Sequence, residues 1–332
     1  MRPIIQVSGL EKHFKVFKHH RGLWGSLLNL ATRQYSVVRA VDGITFEMQP
    51  GELVGYLGPN GAGKSTTIKM LTGLLVPSAG ELRVNGFVPW KERQAYVARI
   101  GAVFGQRTTL WWDLPVIESL DLLQYIYQIP TDRYHQNLAE FRQLLELDPF
   151  LNTPVRSLSL GQRMRADLSA ALLHDPTLLF LDEPTIGLDV VAKERIRQFI
   201  GHINRQRGTT IILTTHDLSD VEKMCERVMI IDRGRLLFDG QLSTLRERFG
   251  GKRQLVVDFA EPYEDVSING AEVYKQDGLR ATYGFDGKEI TASELIGRLS
   301  TRYRIHDLEV RAPDIETTIR RIYEEGLLES TR

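Results

Sequence analysis

The chain has 332 residues, with 42 Lys+Arg against 42 Asp+Glu and a single cysteine, Cys225. At about 150 residues per domain this length suggests two domains, and a content of 42% hydrophobic and 25% charged residues excludes a collagen-like, mucin-like or disordered chain. A net charge of zero gives no bulk drive toward nucleic acid, and one cysteine excludes an internal disulfide framework or a multi-cysteine zinc site, which suits a reducing compartment.

No segment reaches the roughly 18 to 20 apolar residues that span a bilayer. Met1 to Leu10 lacks the basic start and long apolar region of a signal peptide. The chain is therefore expected to work in the cytoplasm or held at a membrane surface.

In chain order, Ile4 to Val7 reads as a first strand. From about 12–39 a basic insertion follows, with Lys12, Lys15, Lys18, Arg21, Arg33 and Arg39 and no acid. Within it Leu23, Trp24, Leu27, Leu28 and Ala31 recur at near-helical spacing. That pattern suits either a hairpin extension packed on its own domain or a surface where apolar tails meet anionic headgroups. Ile44 to Met48 alternates with period two and ends at Pro50-Gly51, and Glu52 to Leu57 is apolar enough for a buried strand. A glycine-rich loop, Gly58 to Gly63, leads to a helix from Lys64 to Leu75, stopped by Pro77. Strands follow over Glu81 to Asn85 and Ile100 to Phe104. Helical periodicity covers Val116 to Leu147, broken at Pro130, and Gly161 to Leu173, with Met164, Leu168 and Leu172 on one face.

Leu178 to Leu181 is a buried strand, Val191 to Gln206 a helix, Thr210 to Thr214 a strand and Asp217 to Cys225 a helix. Val228 to Ile231 and Leu236 to Phe238 are strands with turns at Gly234 and Gly240. Strands alternating with helices predict an α/β fold with a mostly parallel, covered sheet. The composition shifts after Phe249, and Gly250-Gly251 reads as a junction between a domain over 1–249 and a small α+β domain over 250–332. The latter's elements are Gln254 to Phe259, Glu272 to Tyr274, Leu279 to Tyr283, Ala292 to Leu299 and Asp314 to Glu325.

Gly58-Pro59-Asn60-Gly61-Ala62-Gly63-Lys64-Ser65, followed by Thr66, fits G-x-x-x-x-G-K-[ST] between a strand and a helix. The glycines let successive backbone N–H groups turn inward around phosphate oxygens, and the helix adds its positive end. Lys64 can reach the β- and γ-phosphates and the Ser65 hydroxyl can take a Mg²⁺ position. The strand at Leu178 ends in Asp182-Glu183, which places two acids at the carboxyl edge of the sheet beside that loop. Adjacent strand residues point to opposite faces, so Asp182 can face Mg²⁺ while Glu183 faces an attacking water.

Between these elements lies Leu158-Ser159-Leu160-Gly161-Gln162, directly before a helix. With it the chain resembles the ATP-binding cassette family over roughly Ile4 to Leu245. The resemblance extends to Gln106 in the glutamine loop, Gly187-Leu188-Asp189 in the D-loop and His216 in the histidine switch. Leu160 departs from the family, which usually has glycine there. The resemblance implies a P-loop (RecA-like) ABC nucleotide-binding domain with an antiparallel β subdomain and an α-helical subdomain at about 107–175. It also implies ATP and Mg²⁺, held at Ser65, Gln106 and Asp182, and a head-to-tail sandwich in which Ser159, Leu160, Gly161 and Gln162 of a second copy, or of a paralogous ATPase subunit, cover the γ-phosphate.

By the same resemblance Glu183 is the general base of ATP hydrolysis. His216 holds the γ-phosphate and water, Gln106 contacts Mg²⁺ and water, and Asp189 couples the two sites. The adenine is expected to stack on an aromatic residue upstream of the phosphate loop. Tyr35 is favoured and Phe14 is the other candidate. Trp111-Trp112 suits either core packing of the helical subdomain or a groove for a partner helix.

An ATPase with no membrane span is then expected to sit on the cytoplasmic face of the membrane, bound to transmembrane permease subunits. Val103 to Arg107, Leu110 to Pro115, Asp239-Gly240 and Asp307 to Pro313 are similar to ABC-2 type exporters of drugs, xenobiotics or polysaccharide and lipid-linked substrates. The alternative, a soluble cassette ATPase of DNA repair or translation, calls for coiled coils, zinc modules or a second cassette, none of which the sequence carries.

Overall fold

The computed structural model describes residues 2–17, 35–105, 107–249, 252–287, 289–311, 318, 319 and 322. Gln106, the helical pattern over 23–31 and most of the helix expected over Asp314 to Glu325 lie outside them. The chain divides into two compact units, Met1–Asp239 and Gly240–Arg332, with the division ahead of Gly250-Gly251.

In the first unit β1 (Ile5–Phe17) and β2 (Tyr35–Met48) form a long antiparallel hairpin. The strand expected over Ile4 to Val7 thus runs much further, into the basic segment. Val16, Val37 and Val38 favour extended backbone, and the ladder continues to Phe17 opposite Tyr35. Val7, Leu10, Val41, Ile44, Phe46 and Met48 are buried, whereas Val16, Val37 and Val38 are exposed, so only the base of the hairpin belongs to the core.

β3 (Leu53–Leu57) leads into α1 (Lys64–Leu71). This helix ends before the expected Leu75, because Gly73 takes a left-handed backbone (φ 73°) just after the Thr72 cap. β4 (Ala79–Val84) pairs with β1 and completes a three-stranded antiparallel sheet. A short α2 (Arg93–Val97), absent from the sequence reading, precedes β5 (Ile100–Phe104). The helical layer is α3 (Val116–Ile126), α4 (Thr131–Leu145) and α5 (Leu160–Leu172), with the break at Pro130 where the sequence places it.

β6 (Leu178–Asp182), α6 (Val190–Arg207), β7 (Thr210–Thr214), α7 (Leu218–Met224), β8 (Arg227–Asp232) and β9 (Arg235–Gln241) follow. The central sheet runs β5-β6-β7-β3-β8-β9, and β5, β6, β7, β3 and β8 pair in parallel. Leu178, Leu179, Phe180 and Leu181 of β6 and all of β7 are buried, as parallel strands covered on both faces must be. Phe141 of α4 packs edge-on against Phe199 of α6 at 5.7 Å, and Arg207 of α6 lies over the Phe141 ring while pairing with Glu140 and Asp175. These contacts fasten the helical layer to the helix that flanks the sheet.

The second unit begins with α8 (Leu242–Phe249) and builds an antiparallel sheet from β10 (Arg253–Phe259), β11 (Glu272–Asp277), β12 (Arg280–Phe285) and β13 (Ile305–Arg311) in the order β11-β12-β10-β13. Helix α9 (Ala292–Arg302) starts with a Thr291/Glu294 capping box and turns Leu295 and Leu299 into a core with Leu255, Val257, Tyr283 and Phe285. β13 and α8 were not anticipated from the sequence.

Candidate functional site

The loop after β3 wraps the start of α1. Gly63, the residue before the helix, has φ 111°, and a Cβ there would stand 2.4 Å from the Ala40 carbonyl oxygen of β2. Only glycine allows that turn and that closeness. Helix α1 has no side-chain cap and no acid in its first turn. By contrast Ser159 caps α5, Asp189 caps α6 and Asp217 caps α7. The free N–H groups and positive end of α1 therefore suit an anion.

Lys64 is buried, and its ammonium donates to the carbonyls of Gly58 (2.6 Å) and Pro59 (3.1 Å). Burial holds its pKa below the ordinary lysine value, against the opposing pull of Glu183 and Asp182. The Ser65 hydroxyl is 3.4 Å from Asp182 Oδ1, and the same oxygen accepts from Thr214 Oγ1 at 2.5 Å. Thr214, at the end of β7, thus orients the acid at the end of β6; the sequence reading did not single it out.

Glu183 follows directly. Its backbone is left-handed, φ 55°, which is unusual for a side-chain-bearing residue and is held by N–H donation to the Thr214 carbonyl at 3.0 Å. His216 Nδ1 stands 3.4 Å from Glu183 Oε1. A cavity of about 330 Å³ joins Ser65, Asp182 and Glu183 to Leu74, Phe104 and Arg107. Seven of the expected residues, Gly58, Pro59, Lys64, Ser65, Asp182, Glu183 and His216, therefore converge at the carboxyl edge of the parallel sheet.

Ser159, Leu160, Gly161 and Gln162 stand apart from that cluster, at the start of α5. Gln162 N donates to Ser159 Oγ (3.3 Å) and Ser159 N donates to Gln162 Oε1 (2.9 Å), a reciprocal capping box. The side chain of Leu160 rests on the D-loop, 3.1 Å from where a Cβ of Gly187 would be, and the Gly161 position abuts Ala192. Asp189 caps α6 through Ala192 N at 2.8 Å. The segments expected to form the signature and the D-loop are thus packed against each other within the chain.

Of the aromatic candidates, Phe14 pairs with Val38 and Tyr35 with Phe17. Val38 is two residues from Ala40, whose carbonyl approaches Gly63, whereas Tyr35 is five residues away, about 17 Å of strand. Along the hairpin ladder Phe14 is therefore nearer the phosphate loop than Tyr35. Trp111 and Trp112 are 39% and 50% exposed, which excludes the core-packing reading. Sequence reasoning also missed Asp167, a buried carboxylate of α5; the signal was an acid on the face that carries Met164 and Leu168.

Comparison with known proteins agrees with this geometry. The ABC transporter family model matches residues 41–186. The linearmycin resistance ATP-binding protein LnrL of Bacillus subtilis (strain 168) is 35% identical over 219 residues, 66% of this chain and 70% of that protein. A Nod factor export ATP-binding protein I of Rhizobium sp. (strain N33) is 32% identical over 296 residues, 85% of this chain and 91% of that protein. A solved ATP-binding subunit of an ABC transporter superposes with a TM-score of 0.62 at 27% identity, over 74% of this chain and 93% of that one. No helix among the described residues is long and apolar enough to cross a membrane. The family match, these relatives and the superposed cassette, together with a phosphate loop and paired acids at the edge of the parallel sheet, make this chain a member of the ABC transporter ATP-binding proteins, the ATP-hydrolysing subunits of those transporters.

Proposed function

We propose that two copies of this chain, or this chain and a paralogous subunit, sandwich two ATP molecules and that their closure and release drive an ABC-2 type exporter. The observation that carries this reading is Glu183, held in a left-handed backbone beside His216, Asp182 and Ser65. Lys64 and the α1 N-terminus take the phosphates of one ATP. Ser159 of the other copy covers its γ-phosphate: the capping box uses Ser159 Oγ as an acceptor, which leaves its O–H free to donate to a phosphate oxygen.

Glu183 accepts the proton of the attacking water, and His216 steadies the γ-phosphate and that water. Ser65 and Asp182 present two oxygen donors side by side, the donor type that Mg²⁺ takes, and Gln106 is assigned to the same ion. Mg²⁺ bound there would spread the phosphate charge. Asp189 passes the state of one site to the other. Adenine stacks on Phe14, which the register favours over Tyr35.

The exposed Trp111 and Trp112, with Leu122, Tyr125 and Ile126 exposed on one side of α3, form the contact for a transmembrane permease subunit. That contact holds the chain on the cytoplasmic face of the membrane. Similarity to proteins of linearmycin resistance and Nod factor export supports outward transport of a drug-like or lipid-linked saccharide substrate. Catalysis is assigned to the first unit, and residues 250–332 to an accessory domain.

The test is Glu183→Gln, which keeps the shape and removes the base. ATP binding is expected to persist, hydrolysis to fall by about 10² to 10⁴, and ATP to trap a dimer on size exclusion. Undiminished hydrolysis would remove Glu183 from this role.

A further inference from the structure

Asp220, in the first turn of α7, is fully buried, and both oxygens of its carboxylate are engaged. Oδ1 accepts from Arg197 Nε of α6 at 2.6 Å. Oδ2 accepts from Thr185 Oγ1 (2.5 Å) and Thr215 Oγ1 (3.4 Å), and these partners are buried too. The guanidinium alone balances the charge. The second oxygen is taken by two hydroxyls on two catalytic loops: Thr185 is two residues past Glu183, and Thr215 directly precedes His216. A buried ion pair is weak support for stability by itself, so the two hydroxyls are what sets this carboxylate apart from an ordinary salt bridge between helices.

The left-handed backbone of Glu183, φ 55°, persists only where its surroundings over-determine it. Glu183 N donates to the Thr214 carbonyl at 3.0 Å, which holds one side. On the other side the chain turns back, with Ile186 N donating to the Glu183 carbonyl at 3.4 Å, and Thr185 inside that turn is tied to Asp220. His216 is flanked in the same way. Thr215 Oγ1 accepts from Asp217 N at 2.9 Å across it, and the Asp217 carboxylate accepts from Lys193 Nζ (2.6 Å) and Ser219 N (3.1 Å). Asp220 is the side chain that ties the flank of Glu183 to the flank of His216.

We propose that Asp220 is a positioning residue for hydrolysis: through Thr185 and Thr215 it fixes the backbone on which Glu183 and His216 face each other. This rests on the reading above of Glu183 as the base and His216 as its neighbour at the γ-phosphate. The two side chains stand 3.4 Å apart, and a misplacement of about 1 Å at a reacting group costs on the order of 10²-fold in rate. Arg197 keeps the Asp220 carboxylate ionised and pointed at the two hydroxyls, so the pair between α6 and α7 serves as the anchor of both loops. Without the Thr185 bond the turn after Glu183 loses one of its two holds, and the carboxylate spends less time aligned with the attacking water.

Thr185→Val keeps the side-chain shape, removes the hydroxyl and leaves the Asp220–Arg197 pair in place. In the full chain it is expected to lower kcat for ATP hydrolysis about tenfold, with KM and affinity for a fluorescent ATP analogue within about threefold. Thr185→Ser is expected to bring kcat back to within about threefold of the parent, because the hydroxyl returns. Thr215→Val, which loses the longer bond, is expected to lower kcat about threefold. Asp220→Ala is expected to lower kcat at least as much as Thr185→Val; it leaves Arg197 buried and unpaired, so Thr185→Val carries the comparison if that chain does not fold. In the Glu183→Gln background, the cost of Thr185→Val in single-turnover hydrolysis is expected to shrink below about twofold, since a positioning effect vanishes with the group it positions. Parental kcat in folded Thr185→Val or Asp220→Ala, a Thr185→Ser chain as slow as Thr185→Val, or the full tenfold cost in the Glu183→Gln background would overturn this inference alone. Undiminished hydrolysis by Glu183→Gln itself would overturn the base assignment on which it rests.

Discussion

Replacing Asp167 by Asn gives a pH-dependent change in stability whose size follows from its surroundings. Burial pushes the Asp167 carboxyl up to about 6, although Thr108 and Thr109 pull the other way. The unfolded value is 3.8. The folded protein therefore binds more protons than the unfolded chain between about pH 4 and 6, and stability is lost as pH rises through that window. The roughly two-unit gap amounts to about 3 kcal/mol at pH 8, and to about half of that at pH 5, where the folded carboxyl is still mostly protonated. Asparagine has no charge to desolvate and keeps the acceptor oxygen. Asp167→Asn is thus expected to stabilise the protein at pH 8, by several degrees in Tm at about 2 to 4 °C per kcal/mol, and to stabilise it clearly less at pH 5. The assay is thermal unfolding of nucleotide-free protein at both pH values. A variant less stable than the parent at pH 8, or a gap that does not shrink at pH 5, would refute the reasoning.

Phe14→Ala is expected to weaken ATP binding about tenfold, the order of one lost base–aromatic stack, while Tyr35→Ala leaves it unchanged; isothermal titration with ATP separates them, and the opposite pattern would restore Tyr35. Replacing Lys18 to Ala31 by a short Gly-Ser turn, with Phe14 and Tyr35 kept, is expected to preserve ATP affinity of the isolated chain and to weaken coupling to the membrane subunits, since each basic residue near an anionic leaflet contributes about 1 kcal/mol. Full transport by the shortened protein would sink that idea.

The parallel sheet was legible because its strands are short apolar runs bounded by glycine, proline or paired acids, as at Leu53–Leu57 and Leu178–Asp182. The phosphate loop was legible because its backbone geometry demands particular residues. The hairpin arms were not: Lys12, Lys15 and Arg39 masked a ladder whose stability lies in backbone pairing across to Val37 and Val38. The hairpin register could not be read from spacing along the chain, and it is the register that sets Phe14 opposite Val38 and Tyr35 opposite Phe17. Asp167 was hidden for a related reason. One acid on an apolar helix face looks like an interruption until the hydroxyls of Thr108 and Thr109, distant in sequence, are seen to meet it.

The central claim is that each ATP site is built from two chains, and mixing two inactive variants tests it most directly. Lys64→Ala removes the phosphate grip of a chain's own loop, and Ser159→Ala removes what it lends to its partner. In a mixed dimer one site loses both groups and the other keeps both. Co-refolded at equal amounts, half of the dimers are mixed and each holds one intact site, so ATPase activity is expected to return to about a quarter of the parental rate, well above the sum of the separate variants. Activity that stays at that sum although mixed dimers have formed would contradict the composite site.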